Sequence, residues 1–325
     1  MLAVYVEAPN VTDPLAAIVV GERPLPEVPE GHVLVKMSAV ALNPHDILTV
    51  QGYSGLNGRE QIFPMILGSE GVGKLDDGTE VVIYPVINTP GWRGAEVGDP
   101  DRRIFGEWDQ GTFAEYVAVP AHNAVPVPPG LVRDTAAVAG AAWLTAYRML
   151  FVKGQVRAGQ TILVQGASGG VSTALIQLGK AAGMQVWVTG RSEEKLEAAR
   201  RLGASQTYLT GTKLPGLADA AFETVGAVTF GHSVESVRPG GTVVVCGAVG
   251  GIDAHLDLRR LFVEEIDVRG VFAGARQDLV DLMSFLAQTG IKPQIGHVLP
   301  LREAGEAFRL LAAGKSNGKI VLTCD

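Results

Sequence analysis

The stretch ILVQGASGGVS (162–172) joins an apolar run directly to an amphipathic one, with glycines at 166, 169 and 170 between them. Glycine lets a backbone turn tightly and approach a pyrophosphate, whose charge then rests on the N–H groups of a helix N-terminus. The loop Gly166, Ser168, Gly169, Gly170 and Val171 is therefore expected to hold a dinucleotide. A strand before such a loop and a helix after it are the context this chemistry needs. Ser172 stands where a third glycine usually permits close helix–strand packing, and serine is small enough to serve there. The next strand-like run ends in TGRSEEK (189–195), where an NAD site would place an acid on the ribose 2′-hydroxyl. Arg191, Ser192 and Lys195 suit a 2′-phosphate instead, so the expected cofactor is NADP(H). Glu193 and Glu194 fall in the first turn of the following helix, where acids match the dipole.

The elements that must carry this loop are legible from periodicity. TILVQG (161–166) and QVWVTG (185–190) read as buried strands. VSTALIQLGKAAG (171–183) and SEEKLEAARRLGA (192–204) read as helices ending near Gly183 and Gly203. ADAAFETV (218–225), GTVVVCG (241–247) and DVRGVF (267–272) continue the strands, and QDLVDLMSFLAQTG (277–290) is a further helix. This alternation predicts a parallel sheet covered on both faces. The first third differs: HVLVKMSAVAL (32–42), EVVIYPVI (80–87) and FAEYVAVP (113–120) are strand-like runs punctuated by Pro, Gly and Asp, which predicts a mostly-β module. Residues 88–111 read as a polar loop, and 133–151 as a helix. The fold class is thus α/β, with the mostly-β domain drawn from residues 1–124 and 292–325 and the doubly wound domain from 125–291.

Composition narrows the function classes. Of the 325 residues, 47% are apolar and 19% charged, enough to fill cores and too few charges for disorder. The net charge of −7 comes from interspersed signs, which argues against a nucleic-acid face. No apolar run reaches the roughly 18 residues of a membrane span, and the N-terminus lacks the pattern of a signal peptide. Cys246 and Cys324 are far apart, and a free buried thiol at Cys246 fits a reducing, cytoplasmic setting.

Eight stretches in order and spacing resemble the medium-chain dehydrogenase/reductase superfamily, and within it the zinc-lacking quinone oxidoreductase group. They are VLVKMSAVALNPHDILTVQGYSG (33–55), FPMILGSEGVG (63–73), GTFAEYVAVP (111–120), LTAYRML (144–150), GQTILVQGASGGVSTALIQLGKAAG (159–183), FETVG (222–226), RPGGTVVVCGA (238–248) and GKIVL (318–322). The resemblance covers essentially the whole chain. It implies a GroES-like catalytic domain around a Rossmann domain, a cleft between them for cofactor and substrate, and a homodimer or homotetramer. It also locates the metal positions of zinc-dependent relatives, which fall here on Asn43, Ser69 and Ala141, while the loop matching their structural four-cysteine cluster (88–111) has no cysteine. About three protein ligands hold a catalytic zinc, so no metal is expected.

Without a Lewis acid, acceptors that delocalise incoming charge remain, namely quinones and α,β-unsaturated carbonyl compounds. The expected function is hydride transfer from NADPH to such a small molecule. Alternatives are an enoyl-thioester reductase on the same fold and a non-catalytic NADPH-binding protein with a structural or regulatory role. By resemblance LNPHDILTVQGY (42–53) lines the cleft. Asn43 is a candidate donor to a carbonyl oxygen, Tyr53 a donor or proton relay, and Asp46 an orienting group; turn formation is the competing role for Asn43 and Asp46. His45 titrates in a range that suits proton delivery, against the simpler reading of a solvent-facing turn histidine. The resemblance further implies that Thr145 lies beside the nicotinamide, that the backbone at Gly247 and Phe272 holds its carboxamide, and that Lys195 and Tyr208 meet the adenosine phosphate. Glu70 is expected to be a structural hydrogen-bonding group.

Overall fold

The computed structural model describes residues 1–53 and 60–324, so the last two residues of the 33–55 stretch lie outside them. The chain forms two compact units, Met1–Ala141 with Ala275–Asp325, and Ala142–Gly274. Both breaks differ from the sequence reading, which placed them at 124/125 and 291/292. The first break falls later because strand Ala124–Pro126 runs antiparallel beside Glu80–Ile83 and the Ala141 N–H donates to Glu70. Anchoring at the head of helix Arg276–Thr289 accounts for the second: Arg276 donates from Nε to the His122 carbonyl at 2.8 Å and from its backbone N–H to Glu96 Oε1 at 3.3 Å.

In the first unit the ten-residue strand His32–Ala41 is the spine. Its β-branched residues suit a pleated, half-buried surface. It pairs antiparallel with Gly71–Lys74, Tyr116–Pro120 and Lys319–Thr323, and the last of these runs parallel to Ile295–Pro300. A second, three-stranded sheet holds Leu2–Val6 between Ile18–Glu22 and Met65–Ile66. The core between these elements includes Val35, Leu67, Ile83, Leu322 and the edge-to-face pair Phe113 and Phe308, whose centroids are 6.3 Å apart. Gly68 answers to that core. Its φ is +93°, and a Cβ there would sit 2.1 Å from Phe113 Cδ1. Glycine is thus required by packing and by conformation, and the turn it makes buries Ser69 and Glu70 immediately after it.

Six parallel strands form the second unit, in the spatial order Gln206–Leu209, Gln185–Gly190, Thr161–Gln165, Ala218–Glu223, Val237–Val245, Asp267–Gly270. Numbered along the chain, this is the 3-2-1-4-5-6 order of a doubly wound dinucleotide-binding sheet. Helices Gly170–Ala181, Glu193–Leu202, Ala227–Glu235 and Leu258–Val263 connect it. Leu163, Ala221, Val243, Phe230 and Val234 pack between sheet and helix. The α/β class and the doubly wound sheet expected from the alternation are both present.

Several local features depart from the sequence reading. Strands Gln206–Leu209 and Ile295–Pro300 were not anticipated, and both are incompletely buried, so they lack the continuous apolar run of the central strands. The helix expected over 133–151 is interrupted: α-turns at Arg133–Ala137 and Leu144–Tyr147 alternate with wider π-turns at Ala139–Trp143 and Arg148–Gly154. The first widening has a visible cause. The Ala141 N–H leaves the helical ladder and donates to Glu70 Oε2 at 2.7 Å.

Candidate active site

Within the second unit, the expected cofactor residues gather at the carboxyl ends of the strands, where open α/β sheets bind ligands. Gly166 follows Thr161–Gln165 with φ +91°, and a Cβ there would press on Thr224 Oγ1 at 3.2 Å and Val225 Cγ2 at 3.3 Å. The loop Gly166, Ser168, Gly169, Gly170 and Val171 then leads into helix Gly170–Ala181. Ser172 locks it, since its Oγ accepts from Gly169 N at 3.0 Å and donates to Gly169 O at 3.1 Å, while Thr173 Oγ1 donates to the same carbonyl at 2.9 Å. Ser172 therefore does more than fit where a glycine was expected.

Arg191 is exposed just beyond Gln185–Gly190, and Ser192 caps helix Glu193–Leu202 by accepting from Lys195 N. The neighbouring acid is occupied: Glu193 Oε1 accepts from Arg200 Nη1 at 2.6 Å, and Arg200 also binds Glu197. Tyr208 packs edge-on to Trp187, its hydroxyl donating to Gln206 Oε1, and burial raises its pKa. Gly247 lies just beyond Val237–Val245, and Phe272, 40% exposed, beyond Asp267–Gly270. Thr145 is half-buried on the short helix Leu144–Tyr147. A turn with little room for a side chain at Gly166, a helix that begins at Gly170 and a basic group at the second strand's end fit a nicotinamide dinucleotide.

The first unit brings together Asn43, Glu70, Lys319 and Ala141. Lys319 is 2% exposed, and its ammonium donates to Leu42 O at 2.5 Å, Asn43 Oδ1 at 2.6 Å and Glu70 Oε1 at 2.8 Å. Asn43 Nδ2 donates to Glu70 Oε1 at 2.8 Å and to Ala41 O at 3.4 Å. Glu70 Oε2 takes the Ala141 N–H, and Thr112 Oγ1 donates to the Glu70 carbonyl. A buried ion pair with its remaining valences filled in this way is rigid. The arrangement corrects the expectation that Asn43 donates to a substrate carbonyl, because both amide hydrogens and its oxygen are committed inside the knot. Glu70 has the structural role expected of it. Lys319 carried no sequence signal beyond its place in GKIVL. The donor set at the three metal positions is a committed amide, the hydroxyl of Ser69 and the methyl of Ala141, which does not fit Zn²⁺ and its preference for thiolate, imidazole and carboxylate.

Asp46 is 1% exposed and accepts from the Asn43 N–H at 2.7 Å, closing the first turn of helix Pro44–Val50. Burial pushes its carboxyl up to about 6, against that hydrogen bond and the charges of His45 and Lys319. Tyr53 is 57% exposed, and its backbone carbonyl accepts from Gln61 Nε2. His45 is not the solvent-facing turn residue that the simpler reading made it: its Nε2 lies 2.8 Å from Glu107 Oε2, and the Glu107 side chain is only 3% exposed. Burial lowers the His45 pKa, but the Glu107 hydrogen bond and charge, with Asp46 behind them, leave it above its ordinary value. Glu107 lies 62 residues away on a loop, so no local pattern announces the pair.

The chain matches two family models, the alcohol dehydrogenase GroES-like domain over residues 29–129 and the zinc-binding dehydrogenase domain over residues 170–288. It is 30% identical to a zinc-type alcohol dehydrogenase-like protein of Schizosaccharomyces pombe, across 92% of this chain and 94% of that one. It is 27% identical to an acryloyl-coenzyme A reductase of Sulfurisphaera tokodaii, covering 93% and 95%, and 28% identical to a quinone oxidoreductase of Pongo abelii, covering 91% and 90%. A crystal structure of an NAD-dependent alcohol dehydrogenase superposes with a TM-score of 0.91 at 31% identity, covering all of both chains. Its six-stranded nucleotide sheet, its mostly-β partner unit and these matches make the chain a member of the medium-chain dehydrogenase/reductase superfamily of oxidoreductases.

Proposed function

We propose that the chain transfers hydride from NADPH to a quinone or an α,β-unsaturated carbonyl compound, without zinc. The observation that carries this reading is the donor set of the first unit. The residues standing at the metal positions of zinc-dependent relatives are Asn43, Ser69 and Ala141, and the Asn43 amide is spent on Glu70, Ala41 and Lys319. Among the described residues no group of three or more His, Cys, Asp or Glu side chains has the spacing to hold a metal. A simple ketone needs strong polarisation of its oxygen, whereas a conjugated acceptor spreads the incoming charge by itself.

When bound, the nicotinamide supplies the hydride. The chain's own part is to hold and orient it. Gly166, Ser168, Gly169, Gly170 and Val171 receive the pyrophosphate, and Arg191, Ser192, Lys195 and Tyr208 the phosphorylated ribose. Thr145, Gly247 and Phe272 face the nicotinamide end. Asp46 and the Asn43–Glu70–Lys319 knot stiffen the segment before helix Pro44–Val50, and Tyr53 at its end keeps the role of a donor to the acceptor.

The acryloyl-coenzyme A reductase among the relatives favours a second reading, reduction of an enoyl thioester, in which the same conjugation is used. Two free cysteines among the described residues support a cytoplasmic setting. A homo-oligomer is supported by the terminal strand Asp267–Gly270, paired on one side only among the described residues, and by the exposed Leu258, Phe262 and Val263 on the preceding helix. The decisive assay follows NADPH absorbance with a benzoquinone, an enone, an enoyl thioester and a simple ketone, with and without a chelator. Chelator-insensitive turnover of a conjugated acceptor is expected. Tight NADPH binding with no turnover of any acceptor, or zinc-dependent turnover of the ketone alone, overturns the reading.

A further inference from the structure

We propose that His45, held by Glu107, delivers the proton that completes reduction of the acceptor. This inference rests on the reading of the chain as a reductase of conjugated acceptors and adds to it the group that acts as acid.

Its basis is the division of labour in the segment around helix Pro44–Val50. Asn43 is committed to Glu70, Ala41 and Lys319, and Asp46 to the Asn43 N–H. His45 lies between them with one ring nitrogen engaged. A carboxylate only accepts hydrogen bonds, so Nε2 carries the proton shared with Glu107 Oε2 at 2.8 Å. The other nitrogen, Nδ1, has no hydrogen-bond partner among the described residues, and the His45 side chain is 34% exposed while that of Glu107 is 3% exposed. A buried carboxylate thus fixes the tautomer and orientation of an imidazole whose second nitrogen is open, the arrangement by which a carboxylate makes a histidine an effective acid–base group. The titratable groups acting on the ring are Glu107 and Asp46, both carboxylates, and they favour its cationic form. A plain tether between helix and loop would need neither the open nitrogen nor the half-exposed ring.

The step balances. A bound reduced nicotinamide would supply the hydride that adds to the β-carbon of an enone, and the displaced π pair would move to the carbonyl oxygen as an enolate. The His45 Nδ1–H bond then breaks and its proton forms the new bond at the α-carbon, or at the anionic oxygen when the acceptor is a quinone. Neutral His45 keeps its Nε2–H on Glu107 and regains a proton from water through the exposed edge of the ring.

Two conservative variants separate this role from a tether. His45→Gln keeps an amide donor toward Glu107 but has no acidic group. It should lower kcat on an enone by roughly 100-fold or more, with the NADPH dissociation constant unchanged. Glu107→Gln keeps the shape and removes the charge, so the alkaline limb of the kcat profile should move to lower pH by about one unit. The His45 ring resonance, followed by NMR without cofactor or acceptor, should titrate at correspondingly lower pH in that variant. Wild-type turnover of the enone with an unaltered rate and pH profile in His45→Gln overturns the proton role and leaves the reductase reading standing. So does a His45 resonance in Glu107→Gln that titrates where the wild type does. Absence of wild-type turnover on every conjugated acceptor overturns the reductase reading and the proton role together.

Discussion

Asp46 is a carboxylate placed where its charge is penalised. It is 1% exposed, and its carboxyl is raised to about 6 chiefly by burial. A folded-state pKa above the unfolded one means that the native protein binds the proton more tightly. The corresponding stability is fully present below the ordinary carboxylate range and is lost as pH rises through about 6. A shift of roughly two units corresponds to on the order of 3 kcal/mol. Asp46→Asn retains an oxygen to accept from the Asn43 N–H and never ionises. Its stability relative to wild type, measured by urea denaturation, should therefore rise by up to that amount between about pH 4 and about pH 8. A difference that stays constant over this range would show that Asp46 does not carry the burial cost. Legibility at this scale follows sequence distance. The roles proposed for Gly166, Gly169 and Arg191 rest on their own backbone or position, so spacing reveals them. Asp46 caps its own helix by accepting from Asn43 three residues back, whereas Asn43 and His45 take their roles from Lys319, Glu70 and Glu107, tens to hundreds of residues away, and a one-dimensional pattern does not show which hydrogen bonds are already spent.

Among the elements, the polar stretch 88–111 shows how a loop rich in Gly and Pro is held. Asp99 is fully buried at its centre. Its carboxylate accepts from Thr89 N at 2.6 Å, Thr89 Oγ1 at 3.1 Å, Asn88 Nδ2 at 3.2 Å and Asp101 N at 2.9 Å. Burial works against the charge, yet these donors hold the carboxyl below its ordinary value. Where zinc-dependent relatives are expected to staple this loop with four cysteines, one carboxylate gathers it here. Asp99→Ala leaves the donors to be met by water and should cost about 2–3 kcal/mol, with limited proteolysis cutting first within 88–111. Stability owed to Asp99 is present above the ordinary carboxylate range and is lost on acidification below it. An Ala variant as stable and as protease-resistant as wild type refutes the staple. The sequence showed a loop, and showed no cysteine, but a single Asp among several gives no sign of being a hub. Strand Gln206–Leu209 was hidden for a related reason: four residues of mixed burial are defined by the neighbouring Gln185–Gly190 and not by their own pattern. The buried apolar strands, by contrast, were legible because burial on both faces of a parallel sheet writes itself into composition.

For the whole molecule, cofactor choice becomes a stability measurement. A ligand that binds only the folded chain stabilises it by mass action, by about 2.7 kcal/mol at 100 times its dissociation constant. Nothing acidic ends the second strand to take a ribose 2′-hydroxyl, and of the two acids in the first turn of the helix that follows, Glu193 is held by Arg200 at 2.6 Å, which draws one of them away from Arg191. A charge-assisted bond from Arg191 to a 2′-phosphate is worth about 1.5–3 kcal/mol, which converts to roughly 10- to 100-fold in affinity. At equal concentrations NADPH should therefore raise the melting temperature more than NADH does. Arg191→Ala should bring the NADPH shift down to that of NADH while leaving the NADH shift unchanged. If the substitution weakens both nucleotides equally, Arg191 acts on the shared part of the cofactor, and the assignment of the 2′-phosphate to this strand end is wrong. If NADH stabilises the wild type more strongly, the chain prefers NAD and the glycine loop alone, without Arg191, accounts for binding.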